Sequence, residues 1–150
     1  ALFEELGAAG VALEGTILKT SMVLPGKDSG VKSGPEQVAE ATLRVFKKCL
    51  PSGLAGQAFL SGGQGDIEAT ENLNAINQNK TVPWPLTFSY ARALQDAATK
   101  TWKGSVANLE AAQKVFLHRA KMNSLASLGQ YSLDMEQYLP QEVGTTISQD

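Results

Sequence analysis

Val11-Ala12-Leu13-Glu14-Gly15-Thr16-Ile17-Leu18-Lys19 is almost uncharged until its last residue. Its length and β-branched content predict a buried parallel strand. An amine at the end of such a strand loses water, and desolvation makes a lysine easier to deprotonate. A neutral amine can attack a carbonyl and form a Schiff base. Lys19 is therefore either a nucleophile or a lysine whose head group snorkels to solvent. If it points into the centre of a barrel, Leu13, Gly15 and Ile17 point the same way. Glu14 would then face the surrounding helices, where it needs a hydrogen-bonding partner and reads as structural.

Outward from this strand the pattern alternates. Residues 1–9 read as a helix, with Leu2, Phe3 and Leu6 on one side and Gly10 as its stop. Thr20 to Gly34 is a polar loop of 15 residues, long enough to point to function. Pro35 suits a first helical position, Glu36 and Glu40 suit the positive end of the dipole, and Pro51 stops the helix after about Cys49. A second strand spans Gly56 to Ser61. Asp66 caps a helix from Ile67 to about Asn77. A third strand spans Leu86 to Tyr90, and a helix follows from about Ala91 to Trp102. Ser105 caps a longer helix reaching about Leu128, with Gly129 as its end. From Tyr131 onward the chain reads as a loosely held tail.

Strand–helix alternation of this kind means a parallel sheet with right-handed crossovers. Three strands are few, because an open sheet leaves two apolar edges. A closed barrel of eight βα units needs about 250 residues. The expected class is α/β, as three-eighths of a barrel or a piece of a larger doubly wound sheet. Residues 1–131 form the folded part and 132–150 a flexible tail.

Composition excludes several partner classes. The net charge is −2 over 150 residues, and the pI of about 5.4 shows no basic surface for nucleic acid. No apolar run is long enough to span a bilayer, so no membrane partner is expected. No cationic start followed by an apolar stretch marks a secretory signal. Cys49 is the single cysteine, which rules out an internal disulfide and fits a reducing compartment. Asn79-Lys80-Thr81 matches the glycosylation acceptor, read as a chance match in this context. The chain starts at Ala1, as a processed, truncated or excerpted polypeptide would.

The chemistry gathers at the carboxyl ends of the strands, where parallel sheets place their sites. Lys19 ends the first. Ser61-Gly62-Gly63 ends the second. Its glycines let backbone amides approach an anion, and Ser61 adds a hydroxyl, although glycine pairs are also ordinary turn punctuation. Ser89-Tyr90-Ala91-Arg92 ends the third and opens a helix whose unpaired amides attract anions. Arg92 offers a planar fork for phosphate oxygens, or else pairs with Asp96 one turn along. The residues alone describe an amine nucleophile beside a phosphate pocket.

Leu13-Glu14-Gly15-Thr16-Ile17-Leu18-Lys19, Phe59-Leu60-Ser61-Gly62-Gly63-Gln64, Asn72-Leu73-Asn74-Ala75-Ile76-Asn77 and Phe88-Ser89-Tyr90-Ala91-Arg92-Ala93-Leu94-Gln95 resemble class I fructose-bisphosphate aldolase, in the family's order and spacing. The resemblance covers residues 1–131. It implies the C-terminal portion of a (β/α)8 TIM barrel, with strands six to eight of the eight in that fold. It also implies reversible cleavage of fructose 1,6-bisphosphate to dihydroxyacetone phosphate and glyceraldehyde 3-phosphate, with no metal and no cofactor. Lys19 matches the Schiff-base lysine. Ser61, Gly62 and Gly63 match residues at a substrate phosphate. Ser89, Ala91 and Arg92 complete the site, Ala91 standing where many relatives carry glycine, which is tolerable if that residue is already helical.

The sugar phosphate is the implied partner, the family is typically tetrameric, and the compartment is cytoplasmic or plastid. Thr20-Ser21 replaces the family's usual Pro-Asn, which is expected to loosen the strand's exit. The family's acid/base carboxylates sit on earlier strands that these residues do not include. A non-catalytic sugar-phosphate-binding or assembly fragment is therefore the alternative, and 150 residues alone are expected to be inactive. Transaldolase-like barrels share the chemistry but match these motifs poorly.

His118 falls in line with Val115, Met122 and Leu125 and reads as a half-buried packing residue without an orienting partner. Trp84 and Trp102 read as packing anchors.

Overall fold

Pro35 opens a helix and Pro51 stands just beyond its end. In the computed structural model, which describes residues 1–138, this helix spans Pro35–Cys49. Val38, Ala39, Thr42, Leu43 and Phe46 recur at helical spacing and are its buried face. The Gly34 amide donates to Gln37 Oε1 at 3.2 Å, which satisfies one of the helix's orphan donors.

In chain order the elements are α1 Leu2–Ala8, β1 Ile17–Thr20, α2 Pro35–Cys49, β2 Gly56–Phe59, α3 Asp66–Gln78, β3 Leu86–Phe88, α4 Arg92–Trp102 and α5 Leu109–Ala126. The strands form one parallel sheet in the order β1-β2-β3. Lys19 pairs with Ala58, and Ala58 with Thr87. The fold is α/β, a run of βα units of the kind that builds a (β/α)8 barrel.

The sheet is covered on one face only. Gln57, Phe59 and Leu86 turn toward the helices and are buried. Phe59 stacks on Phe46 of α2, with ring centroids 5.6 Å apart. The core continues through Leu73 and Ile76 of α3, Trp84, Tyr90 and Met122 of α5. On the other face Ile17 is 65% exposed, and Lys19 and Thr87 are exposed beside it. A closed barrel turns that face inward.

Several expectations change. Residues 11–16 are not strand, because Leu13–Gly15 forms a 3-10 turn. The Thr16 hydroxyl bonds the Ala12 carbonyl at 3.0 Å, a local bond that competes with the ladder. Glu14 is consequently exposed rather than buried against helices. Ser105 makes no side-chain cap, and a short 3-10 turn, Val106–Asn108, precedes α5. Asp66 is the first residue of α3 rather than its cap. Trp84 is the anchor expected of it, donating Nε1 to the carbonyls of Pro51 and Ser52 at 3.1 and 3.2 Å. Trp102 is 45% exposed and anchors little.

The segment expected to be loose from Tyr131 is held. The Tyr131 amide donates to Asn74 Oδ1 at 3.0 Å. Leu133–Tyr138 forms a 3-10 turn that brings Glu136 onto α5. Arg119, fully buried, donates Nη1 to both oxygens of Glu136 and Nη2 to the Thr70 hydroxyl. Tyr131 donates its hydroxyl to Glu136 at 3.0 Å. His118 Nε2 sits 2.9 Å from the same carboxylate, so this histidine does have a partner, and that partner belongs to the anchor. The segment looked loose because a buried ion pair between residues 17 positions apart leaves no local pattern in the sequence. Residues 139–150, the rest of the expected tail, lie outside the described residues.

Candidate functional site

Parallel pairing puts the three strand exits side by side. The Leu60 amide donates to the Thr20 carbonyl at 2.9 Å, and the Ser89 amide to the Phe59 carbonyl at 2.8 Å. Lys19, Ser61 and Ser89 therefore leave one end of one sheet on neighbouring strands, whose spacing is roughly 4.8 Å.

Lys19 lies on the uncovered face and is exposed. These 138 described residues do not supply the desolvation that an amine at the end of a buried strand was expected to feel. The exit beyond it is firm, contrary to the expectation raised by Thr20-Ser21. Met22 is 3% exposed, and the Val23 amide donates to Thr42 Oγ1 of α2 at 2.9 Å. A side-chain acceptor from the neighbouring helix does what a proline could have done.

Ser61-Gly62-Gly63-Gln64 is a tight turn closed by the Gln64 amide on the Ser61 carbonyl at 3.0 Å. Gly62 and Gly63 have φ of 62° and 90°, a region that side chains with a Cβ disfavour. Neither glycine amide donates to a protein acceptor among the described residues. Ser61 is 8% exposed, and its hydroxyl makes no hydrogen bond among them. A turn with free amides and a free hydroxyl offers donors that an anion could accept.

At the third exit Tyr90 fixes the chain. Its hydroxyl donates to the Ala69 carbonyl of α3 at 3.0 Å, and its ring tilts against Phe88 at 5.5 Å. Burial pushes the Tyr90 phenol well above its usual range, so it stays a neutral donor. Ala91 caps α4 with φ −98° and ψ −85°. It is not helical, as had been the condition for tolerating alanine, yet its negative φ needs no glycine. The amides of Ala91 and Arg92 find no protein acceptor among the described residues. Arg92 is exposed at the helix start and does not pair with Asp96 or any other carboxylate there.

The structure thus brings an amine, two serine hydroxyls, a guanidinium and two sets of unpaired amides to one end of the sheet. Among the described residues no three His, Cys, Asp or Glu side chains converge as metal ligands, and no helix is long and apolar enough to cross a membrane. A cavity of about 680 Å³ lies elsewhere, along α2 between Glu40, Arg44 and Asn79. The strand ends form an open surface because their sheet is uncovered on that side.

Sequence reasoning missed the residues that support the turn. Gln64 and Asn72, buried at 7% and 2% exposure, bond each other behind it. Both stand inside the motifs quoted above. A pair of amide side chains embedded in such a motif was the available signal.

Comparison with known proteins gives the family of the chain. The family model for fructose-bisphosphate aldolase class-I matches residues 1–146. A fructose-bisphosphate aldolase of Dictyostelium discoideum is 52% identical over 132 residues, 88% of this chain and 37% of that protein. The cytosolic fructose-bisphosphate aldolase 4 of Arabidopsis thaliana is 51% identical over 137 residues, covering 91% of this chain and 35% of the relative. Chloroplastic aldolase 2 of Pisum sativum is 50% identical over 135 residues, 90% and 38% respectively. The crystal structure of fructose-bisphosphate aldolase from Plasmodium falciparum, in complex with TRAP and a small-molecule inhibitor, superposes with a TM-score of 0.84 at 44% identity. It covers 87% of this chain, which spans 38% of that one. The chain therefore spans little more than a third of the relatives it matches. On its sequence and its fold alike, this chain belongs to the class I fructose-bisphosphate aldolase family.

Proposed function

We propose that this chain carries the nucleophile and a phosphate pocket of a metal-independent aldolase. The reaction is the reversible cleavage of fructose 1,6-bisphosphate to dihydroxyacetone phosphate and glyceraldehyde 3-phosphate. The observation that carries the reading is the shared exit of Lys19, Ser61-Gly62-Gly63 and Ser89-Arg92 from one end of the sheet, in a member of this family.

In this mechanism the Lys19 amine adds to the ketone carbon and water leaves, giving an imine. Once protonated, the imine accepts the electron pair of the bond between the third and fourth carbons. That bond breaks as the hydroxyl on the fourth carbon loses its proton. Glyceraldehyde 3-phosphate departs and an enamine remains on Lys19. Protonation of the enamine carbon and hydrolysis of the imine release dihydroxyacetone phosphate and restore the amine. The Gly62, Gly63 and Arg92 donors hold a phosphate so that the ketone meets the amine. The general acid and base come from residues beyond these 150.

Incubation with dihydroxyacetone phosphate followed by borohydride should leave a reduced adduct on Lys19, located by peptide mass spectrometry in the protein that carries the complete barrel. Adduct on another lysine, or none, would sink the assignment. The homologues include cytosolic and chloroplastic enzymes, so the reaction belongs to the cytoplasm or a plastid, and the whole enzyme is proposed to be a homotetramer.

The second reading is a sugar-phosphate-binding or assembly fragment without turnover. It is favoured by the exposure of Lys19 on a three-stranded sheet. Measurable cleavage by the purified 150-residue chain would remove it.

A further inference from the structure

Gln64 joins three parts of the site through one buried side chain. Its backbone N–H and its Nε2 both donate to the Ser61 carbonyl, at 3.0 and 2.8 Å. Its Oε1 accepts from Asn72 Nδ2 of α3 at 2.6 Å. The same Nε2 lies 3.7 Å from Met22 Sδ, three residues beyond Lys19. The turn, the helix behind it and the exit of the lysine strand thus share one planar amide.

The bonding pattern suits that amide. The Ser61 carbonyl takes a second donor here and Asn72 needs an acceptor, and a primary amide gives both from one planar group at neutral pH. A carboxylate would set an acceptor against the carbonyl. A thioether would leave the carbonyl with its backbone donor alone and the Asn72 donor unpaired in a buried place. With two donors on its carbonyl, the Ser61 peptide is fixed. The positive-φ glycines that follow then keep their amides unpaired.

We propose that Gln64 is a positioning residue for the anion pocket: it locks the Ser61-Gly62-Gly63 turn in the shape that frees the glycine amides, and keeps that turn in register with the Lys19 strand. The proposal rests on the phosphate-pocket reading given above. The competing view is that Gln64 only fills and satisfies a buried space, with no effect on what the turn binds.

Amide NMR of the 150-residue chain, titrated with sulfate, separates these views. In the unsubstituted chain the Gly62 and Gly63 signals should move and yield a dissociation constant. At pH 7 both Gln64→Glu and Gln64→Met should bind about tenfold more weakly, as expected when one well-placed hydrogen bond is lost. The signals of Phe59 and Leu73 report whether the core is intact. Toward pH 5 a buried carboxyl takes up a proton and regains an O–H donor. Gln64→Glu should then recover affinity while Gln64→Met does not, a difference that filling space cannot produce.

Native affinity in both variants overturns the proposal. So does a loss confined to Gln64→Glu, which is plain repulsion of the anion. If these variants fail to fold, Asn72→Ala leaves Gln64 in place and should weaken sulfate binding about threefold; unchanged affinity there also overturns it. Glycine amides that ignore sulfate in the unsubstituted chain overturn the phosphate-pocket reading itself, and that outcome is visible before any substitution is made.

Discussion

A single guanidinium nitrogen of Arg119, Nη1, lies 2.5 and 2.6 Å from the two carboxylate oxygens of Glu136. The arginine side chain is fully buried and the glutamate 9% exposed. Its other terminal nitrogen reaches the Thr70 hydroxyl and the Asp66 carbonyl at the start of α3. The pair therefore ties the segment after α5 to the helix that follows the Ser61 turn. Breaking it from one side strands a desolvated charge. Arg119→Met should cost about 3 kcal/mol of unfolding free energy in a urea titration, the range for a buried pair that loses one partner. A variant as stable as the parent would show that the pair contributes nothing to the fold.

The same carboxylate sets an acid limit on stability. Burial alone would raise its pKa, but hydrogen bonds from Arg119 and His118 outweigh burial and hold it below the usual value of 4.5. The unfolded chain then binds the proton more readily than the folded one. The stabilisation is complete above pH 4.5 and disappears as the pH falls through the lower folded value. Urea midpoints measured from pH 6 down to pH 3 should fall more steeply for the parent than for Glu136→Gln. Parallel curves would remove Glu136 as the cause.

Gln57 sits on the helix-facing side of β2 at 1% exposure, and neither its Nε2 nor its Oε1 has a hydrogen-bond partner among the described residues. A buried amide in that condition opposes folding. Gln57→Met keeps the length of the side chain and removes both polar atoms. It should raise stability by about 1–2 kcal/mol, seen as a higher urea midpoint with an unchanged slope. A lower midpoint would mean that the amide is satisfied in solution.

Gly62 has room for a methyl group, since a Cβ would meet only Leu60 Cδ1 at 3.6 Å, but its φ is +62°. Gly62→Ala should therefore cost about 1 kcal/mol through conformation alone. Ala91→Gly, at a negative φ, should change stability by less than about 1 kcal/mol. Thermal unfolding of the two variants checks the contrast, and equal losses would contradict the assigned backbone geometry.

In the proposed reaction Lys19 bears on chemistry and little on folding. Its side chain is exposed and makes no salt bridge among the described residues. Lys19→Met should leave stability within about 0.5 kcal/mol of the parent, and borohydride trapping of dihydroxyacetone phosphate should vanish. A large loss of stability would mean that Lys19 is structural.

The parts of this fold that short-range chemistry dictates were readable from the sequence. Pro35 and Pro51 bounded α2, and Gly10 and Gly129 stopped the helices before them through left-handed backbone at φ 69° and 70°. The three strand exits were readable as well, because each pairs an apolar run with reactive or turn-forming residues. Two kinds of feature were not. The turn at Leu13–Gly15 is decided by a threonine hydroxyl that competes with the strand ladder, and the apolar pattern around it hides that competition. Gln64 with Asn72 and Arg119 with Glu136 depend on contacts 8 and 17 residues apart, formed only once the chain has folded. Polar residues of this kind look solvated until their partners are known.

The one-sided sheet has a consequence for how substitutions distribute along the strands. Because side chains alternate, neighbouring positions answer to different demands. Leu18, Gln57, Phe59 and Leu86 answer to the helices, so changes there register in unfolding experiments. Lys19, Ala58 and Thr87 form a cross-strand row on the opposite side, two of its three members exposed, so exchanges along that row leave the packed layer untouched. A saturation scan of the three strands should therefore split by parity. One set of positions would report how well the chain folds, and the alternate set what the uncovered surface can hold.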